Sequence, residues 1–419
     1  MTDGLIDGVA GFLHDLDEFI AAEIVPLQDK DDNVRFFDHR REWARTDFEA
    51  GGVPRAEWRA LLAEARRLAD RAGVLRYSLP AALGGRDGSN LNMTIIREHL
   101  AAKGLGLHND LQDESSVVGN FPVVALLDRF GTPEQRAEHV EDAITGRRPI
   151  AFALSEPGHG SDATWLETTA TRSGEDWVID GAKRWNTGLP GATHDLVFAR
   201  TSGSAGDARG ITAFLVPTDA PGFEVPFVWW TFNMPSDHAE VRLTGVRVPR
   251  SAVVGKVGRG LDLAQHFVHE NRIRQAAASL GAGAYCVTEA VRYARERVTF
   301  GQPLAMRQAI QWPLAELHTE AAMLRALIRA TAAHLDEDPD GGTTERSAEV
   351  SMCNYRANRF VCEAADRAMQ VHGGLGYSRH KPFEHIYRHH RRYRITEGSE
   401  EIQLRRVAQH LFGFTRDAR

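Results

Sequence analysis

Ile211-Thr-Ala-Phe-Leu-Val216 is an apolar run rich in β-branched residues, one of several between Ile150 and about Gly255. Trp177-Val-Ile179, Leu196-Val-Phe198 and Glu240-Val-Arg-Leu243 repeat its character, as short β-branched runs or as alternation. Turn residues separate them at Ser173-Gly174-Glu175-Asp176, Asp180-Gly181, Pro190-Gly191 and Pro221-Gly222. This predicts a small antiparallel β-barrel or sandwich of about a hundred residues. On either side the apolar period changes to that of helices. Before it, Leu13, Leu16, Phe19, Ile20, Ile24 and Leu27 mark a first helix, and Trp58, Leu61, Leu62, Ala65 and Leu68 form the stripe of a second over Arg55–Ala72. A third spans Asn92 to Lys103, and Thr132-Pro-Glu-Gln135 starts a fourth that Gly146 stops. After it, helices are expected over 261–297, 306–335, 345–371 and 400–412, with Asp336-Glu-Asp-Pro-Asp-Gly-Gly342 as a solvated loop. The expected fold is α+β: an N-terminal all-α domain (1–149), a middle antiparallel β-barrel or sandwich (150–255) and a C-terminal four-helix bundle (256–419).

Composition narrows the function. The chain has 419 residues, 42% hydrophobic, enough for a large core. Fifty basic against 57 acidic residues leave a formal charge of −7, which gives no general attraction for nucleic acid or anionic membrane. Cys286, Cys353 and Cys362 show neither disulfide nor metal-ligand spacing, which favours a reducing cytoplasm. No secretory leader pattern and no run long enough to span a bilayer is present in the sequence, so a soluble cytoplasmic protein is expected.

Three stretches carry candidate chemistry. Ile395-Thr-Glu-Gly-Ser-Glu-Glu-Ile-Gln403 sets Glu397 before a glycine and near a helix start, which suits an anionic or enolate-like ligand. The bland alternative is an ordinary first-turn glutamate. Phe152-Ala-Leu-Ser-Glu-Pro-Gly-His-Gly-Ser-Asp162 ends a strand in a loop whose hydroxyls and N–H groups suit a polar ring edge or a phosphate, or else it simply connects two strands. In Gly181-Ala-Lys-Arg-Trp-Asn-Thr187, Trp185 and Thr187 share a strand face, where they suit a conjugated ring with a polar side; a core tryptophan is the alternative.

With Val246-Arg-Val-Pro249, Arg295-Glu-Arg-Val-Thr-Phe-Gly301 and Gln370-Val-His-Gly-Gly-Leu-Gly376, these motifs resemble the FAD-dependent acyl-CoA dehydrogenase family in the right order over almost the whole chain. The resemblance implies FAD bound by Phe152, Leu154, Ser155, Gly160, Ser161, Trp185 and Thr187. A neighbouring subunit would contribute Arg297, Thr299, Phe300 and Gln308, with Gln370, Gly373 and Gly374 against the ADP portion and Ser399 and Glu401 near the cofactor. It implies a homodimer or homotetramer sharing FAD between subunits, and an acyl-CoA substrate. Glu397 would take the α-proton while hydride passes to flavin N5, and its own N–H and a ribityl hydroxyl would bind the thioester carbonyl. Burial should raise that carboxyl toward working pH. An electron-transfer flavoprotein is the implied acceptor.

Some relatives carry the base directly before the arginine that here is Arg272. That position holds Asn271, which leaves Glu270, about 100° round the helix, as the alternative base. Arg272 is expected either to help hold Glu397 or to make a surface salt bridge. The polar segment His108–Asn120 and Thr396 before the base depart from the common pattern near the acyl group; Trp229-Trp230 would either cap that pocket or stand as exposed or core tryptophans. Arg388-His-His-Arg-Arg-Tyr-Arg394 reads as a solvated or intersubunit charge run, and His385 with His389, though spaced for a metal, lack supporting carboxylate or Cys ligands. A flavin oxidase acting on an acyl-CoA or a nitroalkane-like carbon acid, and a non-catalytic FAD scaffold, are the alternatives on the same fold.

Overall fold

The computed structural model describes residues 2–38, 40–109, 116–337 and 344–414. The chain divides into two compact units: one of Met1–Glu42, Arg86–Val117 and His269–Arg419, the other of Trp43–Gly85 and Val118–Val268. The predicted polar segment at 108–120 falls partly outside the described residues, at 110–115, and most of the predicted loop at 336–342 does so as well.

The second unit holds an eight-stranded sheet, whose strands are β1 (Ile150–Ala153), β2 (Thr169–Ser173), β3 (Asp176–Thr187), β4 (His194–Arg200), β5 (Ile211–Pro217), β6 (Phe223–Val228), β7 (His238–Pro249) and β8 (Val253–Val254). They run in the order β8-β5-β4-β2-β3-β7-β6. Most pairs are antiparallel, as expected. The exception is β4, which pairs in parallel with β1 through His194–Val197 and touches β2 in parallel at Arg200. Alternation decides which face is buried: Trp177, Ile179, Val241, Val246 and Val248 join Val197, Phe214 and Val216 in one core. β4 and β5 are buried along nearly their whole length, which is why Leu196-Val-Phe and Ile211–Val216 read as continuous apolar runs.

The flanking helices follow their sequence signals closely. Ala56–Arg71 buries Trp58, Leu61, Ala65 and Leu68, with Ala69 rather than Leu62 completing the stripe. Pro133–Thr145 starts on a complete capping box between Thr132 and Gln135 and ends at Gly146 in the left-handed conformation.

The first unit is helical. Thr344–His372 packs against Gln308–Glu337, Phe383–Arg391 and Glu400–Phe412, while Asn90–Ala102 packs on Gln308–Glu337 and on Thr2–Phe19. The Gly260–Glu296 helix lies close to its neighbours because of Gly281 and Gly283. A Cβ at either would fall 2.3 Å from the Glu98 carbonyl oxygen or from the Phe360 ring. The helix Phe383–Arg391 was not anticipated as a separate element, and it changes the reading of the basic run: His389 and His390 are buried, Arg388 pairs with Glu384, and Arg394 pairs with Glu400. Among the described residues no helix is long and apolar enough to cross a membrane. Nor do three His, Cys, Asp or Glu side chains converge there as a metal site.

Candidate active site

In the helical unit the chain turns sharply between Arg394 and the helix Glu400–Phe412, and Glu397 and Gly398 both take positive φ, 55° and 91°. That conformation is unfavourable for a glutamate and must be held from outside. Arg272 does so by donating from Nε at 2.9 Å, and from Nη2, to the Glu397 carbonyl oxygen. Gln403 Nε2 donates to the Gly398 carbonyl at 3.0 Å and to that of Glu397 at 3.4 Å. A Cβ on residue 398 would approach Arg272 Nη2 to 2.7 Å. Within this unit, then, Gly398 makes room for the Arg272 guanidinium. Arg272 is only 3% exposed. Burial, aided by repulsion from Arg406 and opposed by Glu397, brings its pKa down to about 9, so it remains cationic at neutral pH.

The Glu397 carboxylate is held separately. Asn271 Nδ2 donates to Oε1, and Gln275 Nε2 donates to the same oxygen at 3.0 Å. These two amides are four residues apart and so lie on one face of the Gly260–Glu296 helix. Asn271 therefore serves as a donor to the glutamate on the other segment. Glu270 pairs instead with Arg274, 3.3 Å away. Sequence reasoning passed over Gln275 and Gln403, although the spacing of Asn271, Arg272 and Gln275 on one helical face was available.

Just beyond, Glu400 opens the helix Glu400–Phe412 and accepts from Arg394 (2.8 and 3.0 Å) and Arg359 (3.2 Å twice). These hydrogen bonds, Arg394 first, hold its carboxyl down at about 2 against an ordinary value of 4.5. A depressed folded-state pKa gives stability that is complete above the unfolded value and lost as pH falls from there through about 2. The Glu400→Gln variant should accordingly lose less stability than wild type between pH 5 and pH 3, measured as the urea midpoint. Equal losses would show that the pair contributes nothing.

Ser399 stands at the N-cap position without a side-chain cap bond, and Glu401 is exposed in the first turn. Gln370, Gly373 and Gly374 line an open depression of about 480 Å³ with Asp366, Met369 and Tyr377. Arg297 follows the Gly260–Glu296 helix and leads into a two-stranded hairpin, Val298–Thr299 against Gln302–Pro303. Phe300 and Gly301 form its turn with φ of 50° and 77°, the geometry of a primed hairpin turn. Phe300 is 96% exposed, and Val298, Met306 and Trp312 also project into solvent, with Gln308 exposed among them.

In the other unit, the ends of β1 and β3 meet. Arg184 N donates to the Ser155 carbonyl at 2.9 Å. Lys183 Nζ donates to the Leu154 carbonyl at 3.3 Å and to Glu156 Oε1 at 2.8 Å. These bonds hold Leu154 and Ser155 against Lys183 and Arg184, the residues that lead into Trp185 and Thr187. Phe152 packs on Phe198, ring centroids 5.0 Å apart, while Gly160 and Ser161 lie exposed on the loop. Trp185 and Thr187 are both exposed, on either side of the buried Asn186. The reason is not a regular strand: the register shifts between Arg184 and Asn186, and Trp185 sits there with φ of 65°. Its ring lies 4.8 Å from that of Trp229, whose Nε1 donates to Glu240, the ion-pair partner of Arg184. Trp230 instead donates to the Gly51 carbonyl at 2.7 Å.

The chain matches the models of the acyl-CoA dehydrogenase N-terminal domain over residues 12–147, middle domain over 151–246 and C-terminal domain over 258–412. It is 32% identical over 347 residues, 81% of this chain and 80% of the relative, to the mitochondrial short-chain specific acyl-CoA dehydrogenase of Bos taurus. It is 29% identical over 332 residues, 79% of this chain and 85% of the relative, to a subunit of the caffeyl-CoA reductase-Etf complex of Acetobacterium woodii. Among solved structures, an acyl-CoA dehydrogenase from Geobacillus kaustophilus shares the fold with a TM-score of 0.76 at 24% identity, over 98% of both chains.

Proposed function

Because the chain belongs to the acyl-CoA dehydrogenase family, we propose that it dehydrogenates an acyl-CoA thioester between Cα and Cβ, with FAD as cofactor and Glu397 as base. The observation that carries this reading is the double restraint on Glu397, backbone held by Arg272 and carboxylate held by Asn271 and Gln275. A carboxylate that accepts amide N–H bonds is kept in its ionised form, which a base requires. It is also fixed in orientation, which shortens the search for the reactive geometry.

The residues present suit FAD. Gly160, Gly373 and Gly374 leave open space where side chains would stand. The exposed Trp185 offers a flat apolar face, and Leu154, Ser155 and Thr187 lie near it. By the family resemblance Phe152 and Ser161 join that group on the sheet unit, and Gln370, Ser399 and Glu401 are the proposed cofactor residues on the helical unit. Bound FAD would supply the hydride acceptor. The chain's own part is to hold the thioester, to bind its carbonyl oxygen through the Glu397 N–H as enolate character develops, and to receive the α-proton on the Glu397 carboxylate. The hydrogen on Cβ leaves with its electron pair, so the substrate loses two electrons and two hydrogens and gains one C–C π bond.

Arg297, Thr299, Phe300 and Gln308 would complete the cofactor site of a second copy. The exposure of Phe300, Val298, Met306 and Trp312 supports a homo-oligomer, since exposed apolar side chains this close in sequence suit a partner surface. The likeness to a subunit of an Etf-containing complex supports an electron-transfer flavoprotein as acceptor. The three free, buried cysteines are consistent with a reducing cytoplasm.

The test is anaerobic mixing of the FAD-loaded protein with straight-chain, branched, aryl and steroidal acyl-CoAs while flavin absorbance is followed. Bleaching by one class is expected. No bleaching across the panel would overturn the dehydrogenase reading.

A further inference from the structure

The Gly260–Glu296 helix carries Gln275 and Ser279 inward, and Thr344–His372 carries Asn354 and Asn358 against them. All four are buried, as is His390. Their polar atoms form one connected path. Gln275 Nε2 donates to Glu397 Oε1 at 3.0 Å, and Gln275 Oε1 accepts from Asn354 Nδ2 at 3.5 Å, the longest link. Asn354 Oδ1 accepts from Asn358 Nδ2 at 3.2 Å, and Asn358 Oδ1 accepts from Ser279 Oγ at 2.7 Å. Ser279 Oγ lies 3.0 Å from His390 Nδ1.

The direction of every bond follows from one end. An ionised carboxylate only accepts, so Gln275 must present its NH₂ to Glu397 and its oxygen to Asn354. That choice sets Asn354, then Asn358. Ser279 spends its one hydrogen on Asn358 and must accept from His390, whose proton therefore sits on Nδ1. The side branches agree: Asn354 Nδ2 also donates to the Arg272 carbonyl at 3.1 Å, and Asn358 Nδ2 to that of Tyr393 at 3.1 Å. Five hydrogen bonds thus point the same way, each polarising the next toward the carboxylate. Amides do not readily pass protons on, so the path orients and polarises rather than conducts.

We propose that Gln275 is a positioning residue for the Glu397 carboxylate, and that Asn354, Asn358, Ser279 and His390 form a buried one-way chain that fixes the direction in which its amide points. The inference rests on the reading of Glu397 as the base, and its geometry stands independently of the substrate. Its consequence is a lower proton affinity at Glu397 than the same carboxyl would have without the chain, because donors to the ionised form favour it.

Burial moves Arg272, His389 and His390, which lie along or beside the path, away from their ordinary ranges. Arg272, facing Glu397 with Arg406 from Glu400–Phe412, stays cationic below about 9. Burial, then Arg392, pushes His390 down to about 3, and burial pushes His389 well below its usual range. Glu270 and Arg274, on the Gly260–Glu296 helix, pair with each other.

An infrared pH titration of the full-length protein labelled with ¹³C-glutamate, blanked against Glu397→Gln, reads the Glu397 carboxyl directly. It needs no substrate, so its result is separate from whether any acyl-CoA bleaches the flavin. Gln275→Leu should raise the Glu397 midpoint by about one pH unit, a tenfold gain in proton affinity. Ser279→Ala, remote from Glu397, should raise it in the same direction by less, and Ser279→Thr, which keeps the hydroxyl, should overlay wild type. If an acyl-CoA does bleach the flavin, the acid limb of the bleaching rate should move to higher pH in step. A Gln275→Leu curve that overlays wild type would overturn the positioning role. A shift in Gln275→Leu with none in Ser279→Ala would overturn the chain. Should Gln275→Leu fail to fold, Ser279→Ala and Ser279→Thr decide the question by themselves.

Discussion

Glu397→Gln should retain FAD and still bind acyl-CoA, yet reduce its flavin slower than wild type by on the order of a thousandfold, the usual span for loss of a general base. Glutamine keeps the size of the side chain and an oxygen that can still accept from Asn271 and Gln275. The backbone restraint from Arg272 and Gln403 acts on carbonyl oxygens and is untouched. What the substitution removes is proton affinity, so the loss should fall on the rate of flavin bleaching at saturating substrate rather than on the substrate concentration required. Anaerobic stopped-flow absorbance separates the two. A variant that bleaches within tenfold of wild type would move the base elsewhere, and Glu270→Gln would then be the next protein to make, despite the ion pair that occupies Glu270.

The elements of this fold were legible because their signals are local. Alternation gave the strands, and Thr132 with Gln135 gave a helix start that the capping box realises. The parallel pairing of β1 with β4 was not legible, since nothing in Ile150–Ala153 distinguishes a parallel neighbour from an antiparallel one. The candidate site divides in the same way. Glu397 and the exposed Trp185 and Thr187 could be found from motifs, but the bulge that turns Trp185 outward depends on its pairing with β7. The partners of Glu397 were hidden by a different ambiguity. Asn271, Gln275 and Ser279, like Asn354 and Asn358, lie at helical spacing, and a polar stripe of that kind ordinarily faces water. Here two such stripes face inward and satisfy each other, which sequence periodicity cannot distinguish from solvation. The run Arg388–Arg394 misled for a related reason: successive residues on a helix point about 100° apart, so His389 and His390 turn into the core while Arg388 and Arg394 find carboxylates.

Lys183→Met should destabilise the β unit by about 3 kcal/mol or more, the cost typical of removing one partner from a buried ion pair. Lys183 has no solvent exposure, and its ammonium holds Glu156 at 2.8 Å. Glu156 keeps two other donors, the backbone N–H groups of Glu167 and Thr168, but without the lysine its charge has no counterion. Asp195 makes the effect depend on pH. It is fully buried and accepts from Asn186 at 2.6 Å, and burial raises its pKa to about 7 while Lys183 pulls the other way. A carboxyl whose folded pKa lies above its unfolded value binds more protons when folded, so stability declines as pH rises from about 4 to the folded pKa and then levels off. Removing Lys183 raises that upper limit, and the decline continues to higher pH. The variant should consequently lose more thermal stability relative to wild type at pH 8 than at pH 6, and Asp195→Asn added to it should narrow the difference. Melting followed by circular dichroism at the two pH values tests this, and equal losses at both would show that Asp195 is not coupled to Lys183. Because Lys183 also ties the Leu154 carbonyl to β3, FAD content should fall along with stability, which links this buried pair to the loop proposed to hold the flavin.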